Sequence, residues 1–256
     1  MLQPSWKSAP RTSKVADQPP TMSPDPRTEI GLLEGIATTR AIRRYTSDDV
    51  PVEDLNSILW HASRAPSGSN RQGFRFVVLR SSETAIRAKR LIGEAFRAGW
   101  DAKASTDGYR RGSGAIEDSP KSRQARAMQH YVDHFEAVPV VVLVCLVRHR
   151  SADPHEGASV YPACQNLLLA ARGLGYGGVL TMWHHTVENE LKELLAIPEG
   201  VALSACITLG RPAGSHGPVR RRPIAELVYE DNWGVEAPWA SDPPGTAFTS
   251  AGPRKS

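Results

Sequence analysis

Two clusters of arginine are the strongest chemical feature of the sequence. Arg40, Arg43 and Arg44 stand close together ahead of a predicted helix, and residues 220–222 are three consecutive arginines. A guanidinium group offers a planar fork of donors that matches two phosphate oxygens, and it stays charged at any working pH. Two such clusters suit a phosphate ligand, although either one alone is more simply a solvated charged surface.

Two further segments could hold a flat ligand. Residues 65–72, Ala-Pro-Ser-Gly-Ser-Asn-Arg-Gln, carry hydroxyls, amides and a glycine between a predicted helix and a predicted strand. Such groups can hydrogen-bond the edge of a heteroaromatic ring, but an ordinary turn has the same composition. Gly173, Gly175, Gly177 and Gly178 follow a helix rather than a strand, which argues against the dinucleotide-binding GxGxxG motif. They either end that helix or let the next strand approach a ligand closely.

The sequence lacks a convincing catalytic acid, base, nucleophile or metal site. His184 and His185 are adjacent, so on a strand their side chains would point to opposite faces, and no metal is expected. Ser67 and Ser69 have no GxSxG context, which argues against a hydrolase. An enzyme without such groups usually relies on a cofactor for its chemistry.

The hydrophobic pattern that must position these groups predicts six helices and four strands in one domain. A sheet covered by helices, of the α+β or mixed α/β type, is therefore expected. Residues 101–119 are rich in glycine, serine and charge, and are expected to be mobile. In chain order the expected elements are a short helix from about Ile30 that stops before Arg40, a helix from Pro51 to about residue 65, a strand over 74–79, helices over 85–99 and 123–135, a strand over 138–147, a helix over 160–171, a strand over 179–183, a helix over 187–195 and a strand over 203–209.

Composition sets the broad class. The 256 residues are 40% hydrophobic and 23% charged, as in ordinary globular proteins, and the net charge of +4 does not require a nucleic-acid partner. No apolar run is long enough to span a membrane. Residues 1–28 are expected to be a disordered tail and 241–256 a flexible one, leaving a domain over 29–240. Cys145, Cys164 and Cys206 lie in apolar runs, as buried reduced thiols of a cytoplasmic protein would.

The order of these segments resembles the nitroreductase family. The likeness rests on Thr-Arg-Ala-Ile-Arg-Arg-Tyr at 39–45, on the loop at 65–72 with the strand Phe-Arg-Phe-Val-Val that follows at 74–78, and on Arg-Arg-Pro at 221–223. Shorter matches are Gly-Leu-Gly at 173–175, Leu-Ala-Ile-Pro at 195–198 and Leu-Gly-Arg-Pro at 209–212. The resemblance covers about residues 29–233 and leaves both tails outside.

This resemblance implies an α+β fold with a mixed β-sheet flanked by helices, in an intertwined homodimer that binds FMN at its interface. It implies ping-pong reduction with NADH or NADPH as donor, in which the N5 atom of FMN carries the chemistry and no side chain is catalytic. Arg40, Ala41, Arg43 and Arg221 match the positions at the phosphate. Pro66, Ser67, Gly68 and Asn70 match the loop that the partner subunit lays beside the flavin, and Gly178, Val179, Leu180 and Thr181 match the stretch whose backbone faces the ring edge.

The sequence departs from the family pattern at the phosphate end. Thr39 stands where a second arginine is frequent, and Ala41 stands where serine is frequent. The departures imply fewer contacts to the phosphate. Gly73 and Phe74 replace a common Pro-Trp pair, which is a tolerated variation.

We expect a nicotinamide to donate hydride to FMN, leave, and be replaced by a small electron-poor acceptor of the nitroaromatic or quinone type. The segment from Trp100 to Phe135 would be the lid over that acceptor. The alternative is that it is an ordinary surface segment that covers no ligand. Related activities stay open, namely a dehalogenase, a flavin-fragmenting enzyme or a dehydrogenating oxidase, as does a non-catalytic flavin or nucleic-acid binding protein. The candidate acceptor-side residues are Trp100, Tyr109, His130, Tyr131 and His134.

Overall fold

A computed structural model describes residues 30–248 and shows an α+β fold in which six helices flank one four-stranded sheet. Every predicted element is present, in the predicted order. The expected N-terminal tail lies outside the described residues. The helices are α1 (Leu32–Thr38), α2 (Val52–Ala62), α3 (Glu83–Thr106), α4 (Pro120–Asp133), α5 (Tyr161–Gly173) and α6 (Glu188–Leu194), and the strands are β1 (Phe74–Leu79), β2 (Val140–Val147), β3 (Gly177–Thr181) and β4 (Val201–Gly210).

The sheet has the strand order β1-β2-β4-β3, and all three of its strand pairs are antiparallel. The α+β class is therefore confirmed, but the four strands within residues 30–248 form an antiparallel sheet and not the expected mixed one. One isolated parallel bridge, between Arg221 and Phe248, lies outside these strands. β3 is an edge strand, so one side of its backbone is free to meet another segment.

β2 separates two hydrophobic cores. Val141 and Leu143 face the core that α3 and α4 cover, whereas Val142 and Val144 face the core that α2 and α5 cover. The alternation follows from the two-residue period of a strand. Every residue of β2 except Val147 is buried, which confirms the prediction of a central strand that is apolar on both faces.

α3 is longer than the sequence pattern predicted. The helix starts at a serine cap, since the Ser82 side chain accepts a hydrogen bond from Ala85 N at 3.2 Å. It then runs to Thr106, so the expectation of a mobile stretch is wrong for residues 101–106. The physical reason is packing, because Trp100 and Ala104 are both buried in the first core and carry the helix past its polar surface residues.

The end of the described chain folds back along the arginine-rich segment. Asp242 Oδ2 accepts a hydrogen bond from Ile224 N at 3.1 Å, and Phe248 forms the bridge with Arg221. The prediction of a flexible C-terminal tail stays a prediction. None of the described helices has the length and apolarity that crossing a membrane would need. The three cysteines are unpaired and buried, as expected.

Candidate functional site

The segment that carries the first arginine cluster, residues 39–46, is held against the end of the sheet, and we call it the arginine segment. Ile42 N donates a hydrogen bond to Gly178 O of β3 at 3.0 Å, and Thr46 N donates to Arg211 O just after β4 at 2.9 Å. Residues 42–46 thus lie along the edge of the sheet where β3 begins and β4 ends. This docking places the predicted phosphate-binding residues beside the predicted ring-binding strand.

A buried chain of hydroxyl groups fixes the same segment. Tyr45 Oη lies 2.6 Å from Ile42 O and 2.8 Å from Thr208 Oγ1, and Tyr131 Oη lies 3.0 Å from Thr208 Oγ1. Because a carbonyl only accepts, Tyr45 donates to Ile42 O and accepts from Thr208, which in turn accepts from Tyr131. Thr208 is fully buried. The arginine segment is therefore tied to Thr208, near the end of β4, and to α4.

Arg40 and Arg43 have different neighbours. Burial raises the pKa of Tyr45 and of Tyr131, and the charge of Arg43 acts against that rise in both. Arg43 Nε is buried and has no hydrogen-bond partner within residues 30–248. Arg40 instead lies near His216, whose pKa is lowered first by burial and further by this guanidinium.

The second arginine cluster lies on the segment that follows β4, residues 211–248, which we call the strap. Arg221 is exposed, and its Nη1 donates to Arg220 O at 2.9 Å. Arg222 is half-buried and its Nη1 lies 3.9 Å from Glu226 Oε2. Arg221, which the family pattern places at the phosphate, is therefore exposed to solvent.

The glycines before and in β3 serve two purposes. Gly175 has a φ of +80°, which ends α5 in the way expected of a glycine. Gly177 and Gly178 lie inside β3 and are buried. A Cβ on Gly177 would approach Ile42 Cγ1 to 2.5 Å, so its missing side chain lets the arginine segment dock. A Cβ on Gly178 would approach Thr208 O to 2.5 Å and would disturb the sheet itself.

The outer edge of β3 offers backbone groups to a ligand. On an edge strand every second residue directs its N–H and C=O away from the neighbouring strand. Gly178 uses its outward carbonyl for Ile42, and Leu180 presents its amide and carbonyl on the same side. Leu180 and Thr181 are half-buried, whereas Gly178 and Val179 are buried. The predicted ring-edge stretch is thus an edge strand whose last two residues are accessible.

The loop after α2 has an unusual backbone. Ser69, Asn70 and Gln72 all have a φ of 51°, a left-handed conformation that residues other than glycine adopt at a cost of about 1–3 kcal/mol each. Ser67 Oγ helps to hold this shape by accepting a hydrogen bond from Gln72 N at 2.8 Å. Such strained positions cluster at functional sites, because surrounding contacts must maintain them.

Contacts with neighbouring elements clamp the loop. Gly68 N donates to Ser159 Oγ at 3.2 Å, and Arg75 Nη1 donates to Gln72 O and to Phe74 O at 2.8 Å each. Pro66, Gly68 and Asn70 are exposed, and Ser67 is half-buried. The loop is therefore rigidly supported on its inner side and open on its outer side, where another molecule can lie.

The five predicted acceptor-side residues fall into two groups. Trp100 and Tyr131 belong to the first core and are 4% and 2% exposed. Tyr109 packs on Trp100 with ring centroids 5.7 Å apart. His130 and His134 form a stacked pair nearer the surface, with centroids 4.2 Å apart. Trp100 and Tyr131 hold α3 and α4 together, which leaves Tyr109, His130 and His134 as the residues of this set that can meet a small molecule.

The two adjacent histidines are not on a strand. β3 ends at Thr181, and His184 and His185 lie on a short 3₁₀ turn with their rings stacked 5.0 Å apart. The prediction that their side chains point to opposite faces of a strand is therefore wrong. His184 is buried and its Nε2 donates to Leu203 O at 2.8 Å, a structural role. Within residues 30–248 no group of three or more His, Cys, Asp or Glu side chains could hold a metal ion.

Two basic residues near Arg40 were missed by the sequence reasoning. Arg172 is in the last turn of α5, and His216 lies on the strap between β4 and the second arginine cluster. His216 Nε2 donates to Tyr176 O at 3.1 Å. No motif marks either residue, because far-apart parts of the chain bring them together. Phosphate binding along one edge of the sheet, next to an open backbone edge, is the chemistry that this arrangement supports.

Comparison with known proteins gives consistent results. The model of the nitroreductase family matches residues 36–211. A protein of Archaeoglobus fulgidus, provisionally named an NADH dehydrogenase/NAD(P)H nitroreductase, is 29% identical over 187 residues, covering 70% of this chain and 84% of the relative.

Two solved structures are also similar. A protein of Desulfovibrio desulfuricans, provisionally named a nitroreductase and crystallised with FMN, has 29% identity and a TM-score of 0.55, covering 80% of this chain and 99% of its own. The NADPH:FMN oxidoreductase of Vibrio harveyi, complexed with NAD+, has 21% identity and a TM-score of 0.57, covering 78% and 77%. At that identity the second likeness concerns the fold alone.

Proposed function

The chain belongs to the nitroreductase family, and from that premise we propose that it is an FMN-dependent oxidoreductase that takes electrons from NADPH or NADH. The observation that carries the proposal is the hydrogen bond from Ile42 N to Gly178 O, 3.0 Å long. It joins the arginine segment to the outer edge of β3, so a ligand with a phosphate at one end and a flat ring at the other can lie along both.

The donor groups of the site fit FMN. Arg40, Arg43 and Arg221 would hold the phosphate, with Ala41 contributing only its backbone. The buried Nε of Arg43, without a partner among residues 30–248, is an unused donor beside this edge. The free backbone groups of Leu180 match the donors and acceptors at the edge of the flavin ring. Gly177 keeps the arginine segment close enough for both ends to reach one ligand.

When bound, FMN supplies the redox chemistry, accepting a hydride from the nicotinamide at N5 and passing electrons to the next substrate. The protein's own residues position the reactants. The tyrosine and threonine chain from Tyr131 to Ile42 fixes the phosphate end, and the clamped loop at 65–72 provides a rigid wall. The site offers no acid or base in a plainly catalytic position, which agrees with chemistry carried out by the cofactor.

Exposed apolar side chains support a homodimer. Leu32, Leu33 and Ile36 on α1 are 72%, 80% and 51% exposed, and Trp233 on the strap after β4 is 91% exposed. A soluble protein rarely leaves so many large apolar groups in water unless another surface covers them. In a homodimer a second copy would cover these surfaces, and the open outer side of the loop at 65–72 would then lie beside the partner's flavin.

We propose a small electron-poor acceptor of the nitroaromatic or quinone type. Tyr109, His130 and His134 are accessible on the α4 side, and Arg43 adds positive charge there. A planar electron-poor ring can stack on aromatic side chains such as these. The acceptor would occupy the flavin face after the oxidised nicotinamide leaves.

Flavin binding and reduction test the proposal. The purified protein should carry or take up FMN, and the flavin colour should bleach on addition of NADPH or NADH and return with a quinone or nitroaromatic. Arg43→Ala and Arg221→Ala should weaken FMN binding, and a loss for FMN but not for riboflavin would locate the defect at the phosphate. A protein that neither retains nor takes up FMN, or whose flavin is not reduced by either donor, overturns the proposal.

A further inference from the structure

Three distant segments converge on the start of β3. Gly177 would bring a Cβ within 2.5 Å of Ile42 Cγ1 and within 3.1 Å of His216 Nε2, so the arginine segment and the strap after β4 both pack on this glycine. α5 ends directly before it, where Gly175 N donates to Arg172 O at 3.1 Å. Arg40, Arg172 and His216 are therefore gathered around one point of the sheet edge.

Two of these three groups carry unused hydrogen-bonding capacity. Arg172 Nε and His216 Nδ1 are both buried and have no hydrogen-bond partner among the residues that the structure describes. Because His216 Nε2 donates to Tyr176 O, its Nδ1 is the atom left to face a ligand. The pKa of His216 is lowered first by burial and then by the charges of Arg172 and Arg40, so the neutral ring is favoured and both guanidinium groups act on it.

The nearby carboxylates are engaged elsewhere. Asp54 Oδ2 accepts a hydrogen bond from Tyr176 Oη at 2.5 Å. Asp48 Oδ2 accepts from Thr46 Oγ1 at 2.9 Å and lies 3.8 Å from Arg211 Nε. Two guanidinium groups beside one another, one of them with a buried and unsatisfied donor, are unfavourable unless an anion accompanies them.

We propose that Arg172 and His216, together with Arg40, complete the phosphate-binding site for FMN in this chain. The inference rests on the proposed function and extends it to two residues that the family pattern does not mark. It also accounts for the departures at Thr39 and Ala41, because donors from α5 and from the strap replace those that the N-terminal segment lacks. The ligand class is a phosphate monoester, bound by a charge-assisted hydrogen bond from Arg172 Nε and by one from His216 Nδ1, whose protonation the negative charge of the phosphate favours.

A simpler reading exists for Arg172. A basic residue in the last turn of a helix also stabilises that helix, because its charge interacts favourably with the negative end of the helix dipole. That reading predicts a loss of stability on substitution but no effect that depends on a phosphate. The comparison of FMN with riboflavin, which is the same ring without the phosphate, separates the two readings.

The experiment measures flavin affinity of the full-length protein after its flavin has been removed. FMN and riboflavin are titrated by fluorescence quenching into the wild type, Arg172→Gln, His216→Gln and the control Arg87→Gln. Arg87 is exposed on α3, so the control makes the same change in net charge as Arg172→Gln, away from the site. Each site variant should lose roughly 10- to 100-fold in FMN affinity, the value of a hydrogen bond to a charged group, with riboflavin affinity unchanged.

The outcomes are distinguishable. Unchanged FMN affinity in both site variants, or an equal loss in the control, overturns this inference while leaving the proposed function intact. A wild type that binds neither flavin refutes the proposed function first. Variants that bind FMN normally but raise the KM for NADPH and not for NADH would assign the cluster to the donor's 2′-phosphate, and this also overturns the inference. Thermal unfolding of each variant without flavin shows whether the fold has survived.

Discussion

Replacement of Gly178 by alanine tests how the site strand is packed. The new Cβ would lie 2.5 Å from Thr208 O, 2.8 Å from Leu209 Cδ2 and 3.0 Å from Leu168 Cδ2. Favourable contacts between carbon atoms lie at about 3.5–4.0 Å, so all three distances are too short. The obstacle at 2.5 Å is a backbone atom. Thr208 pairs with Val179 on one side and with β2 on the other, so it cannot move without disturbing both ladders.

The expected cost follows from that rigidity. Overpacking a buried position destabilises a protein by about 1–3 kcal/mol, and we expect Gly178→Ala to fall in the upper half of this range because a side chain cannot rotate away from the clash. Equilibrium unfolding in urea at a fixed protein concentration measures the free energy of unfolding from the midpoint and slope. The midpoint should fall while the slope stays the same.

Gly173→Ala is the matched control. Gly173 is the last residue of α5, and a Cβ there would have no atom within 4 Å. This substitution should be neutral or should stabilise the helix by up to about 1 kcal/mol. A Gly178→Ala protein within about 0.5 kcal/mol of the wild type would refute the packing argument. A Gly178→Ala protein that keeps its stability but loses flavin affinity would also refute it, because Gly178 would then be needed for the ligand and not for the sheet.

Two further predictions concern buried polar groups. Lys89 is 4% exposed, its Nζ donates to Val138 O at 2.7 Å, and burial lowers its pKa to about 8. Above that pH the unfolded chain holds a proton that the folded chain has lost. The free energy of unfolding should therefore rise relative to that of Lys89→Met up to about pH 10.5, by at most about 3 kcal/mol. Buried thiols act in the opposite direction, so the measurement is the difference between the two proteins in urea unfolding across this range, and parallel curves would refute the assignment. Thr208→Val should destabilise the protein by about 1–3 kcal/mol because it leaves the buried Tyr131 hydroxyl without its acceptor. Tyr131→Phe should cost only about 0.5–1.5 kcal/mol because Thr208 keeps its hydrogen bond with Tyr45. Thermal or urea unfolding that gives the reverse order would contradict the chain of hydroxyls.

The elements could be predicted from the sequence because their patterns are local. β1 has the predicted bounds, and β2 has the expected apolar residues on both faces. The errors have tertiary causes. The continuation of α3 past residue 100 depends on the burial of Trp100 and Ala104, which a polar composition conceals. Likewise, His184 leaves the strand alternation because β3 stops at Thr181 and a 3₁₀ turn follows.

The candidate site could be predicted only where its residues are close in sequence. The segment 39–45 and the loop at 65–72 are continuous, and their residue types indicate their chemistry. Arg172 and His216 are separated from Arg40 by more than a hundred residues and carry no motif. Their meeting depends on β3 being an edge strand, because only a strand with a free side can bind the arginine segment through Gly178 O.

That topology explains why the site lies where it does. A central strand such as β2 uses both sides of its backbone for its neighbours, whereas β3 has one open side. This side bonds Ile42 first, and beyond it the outward backbone groups of Leu180 have no partner within residues 30–248. Gly177 makes the approach of the arginine segment sterically possible, and the strap after β4 must pass the same point because β4 is the neighbour of β3. The proposed phosphate donors and ring-edge donors are therefore adjacent as a consequence of strand order. A substitution that displaces Ile42 from Gly178 should accordingly weaken both ends of the proposed flavin site together, even though it alters no proposed ligand-binding side chain.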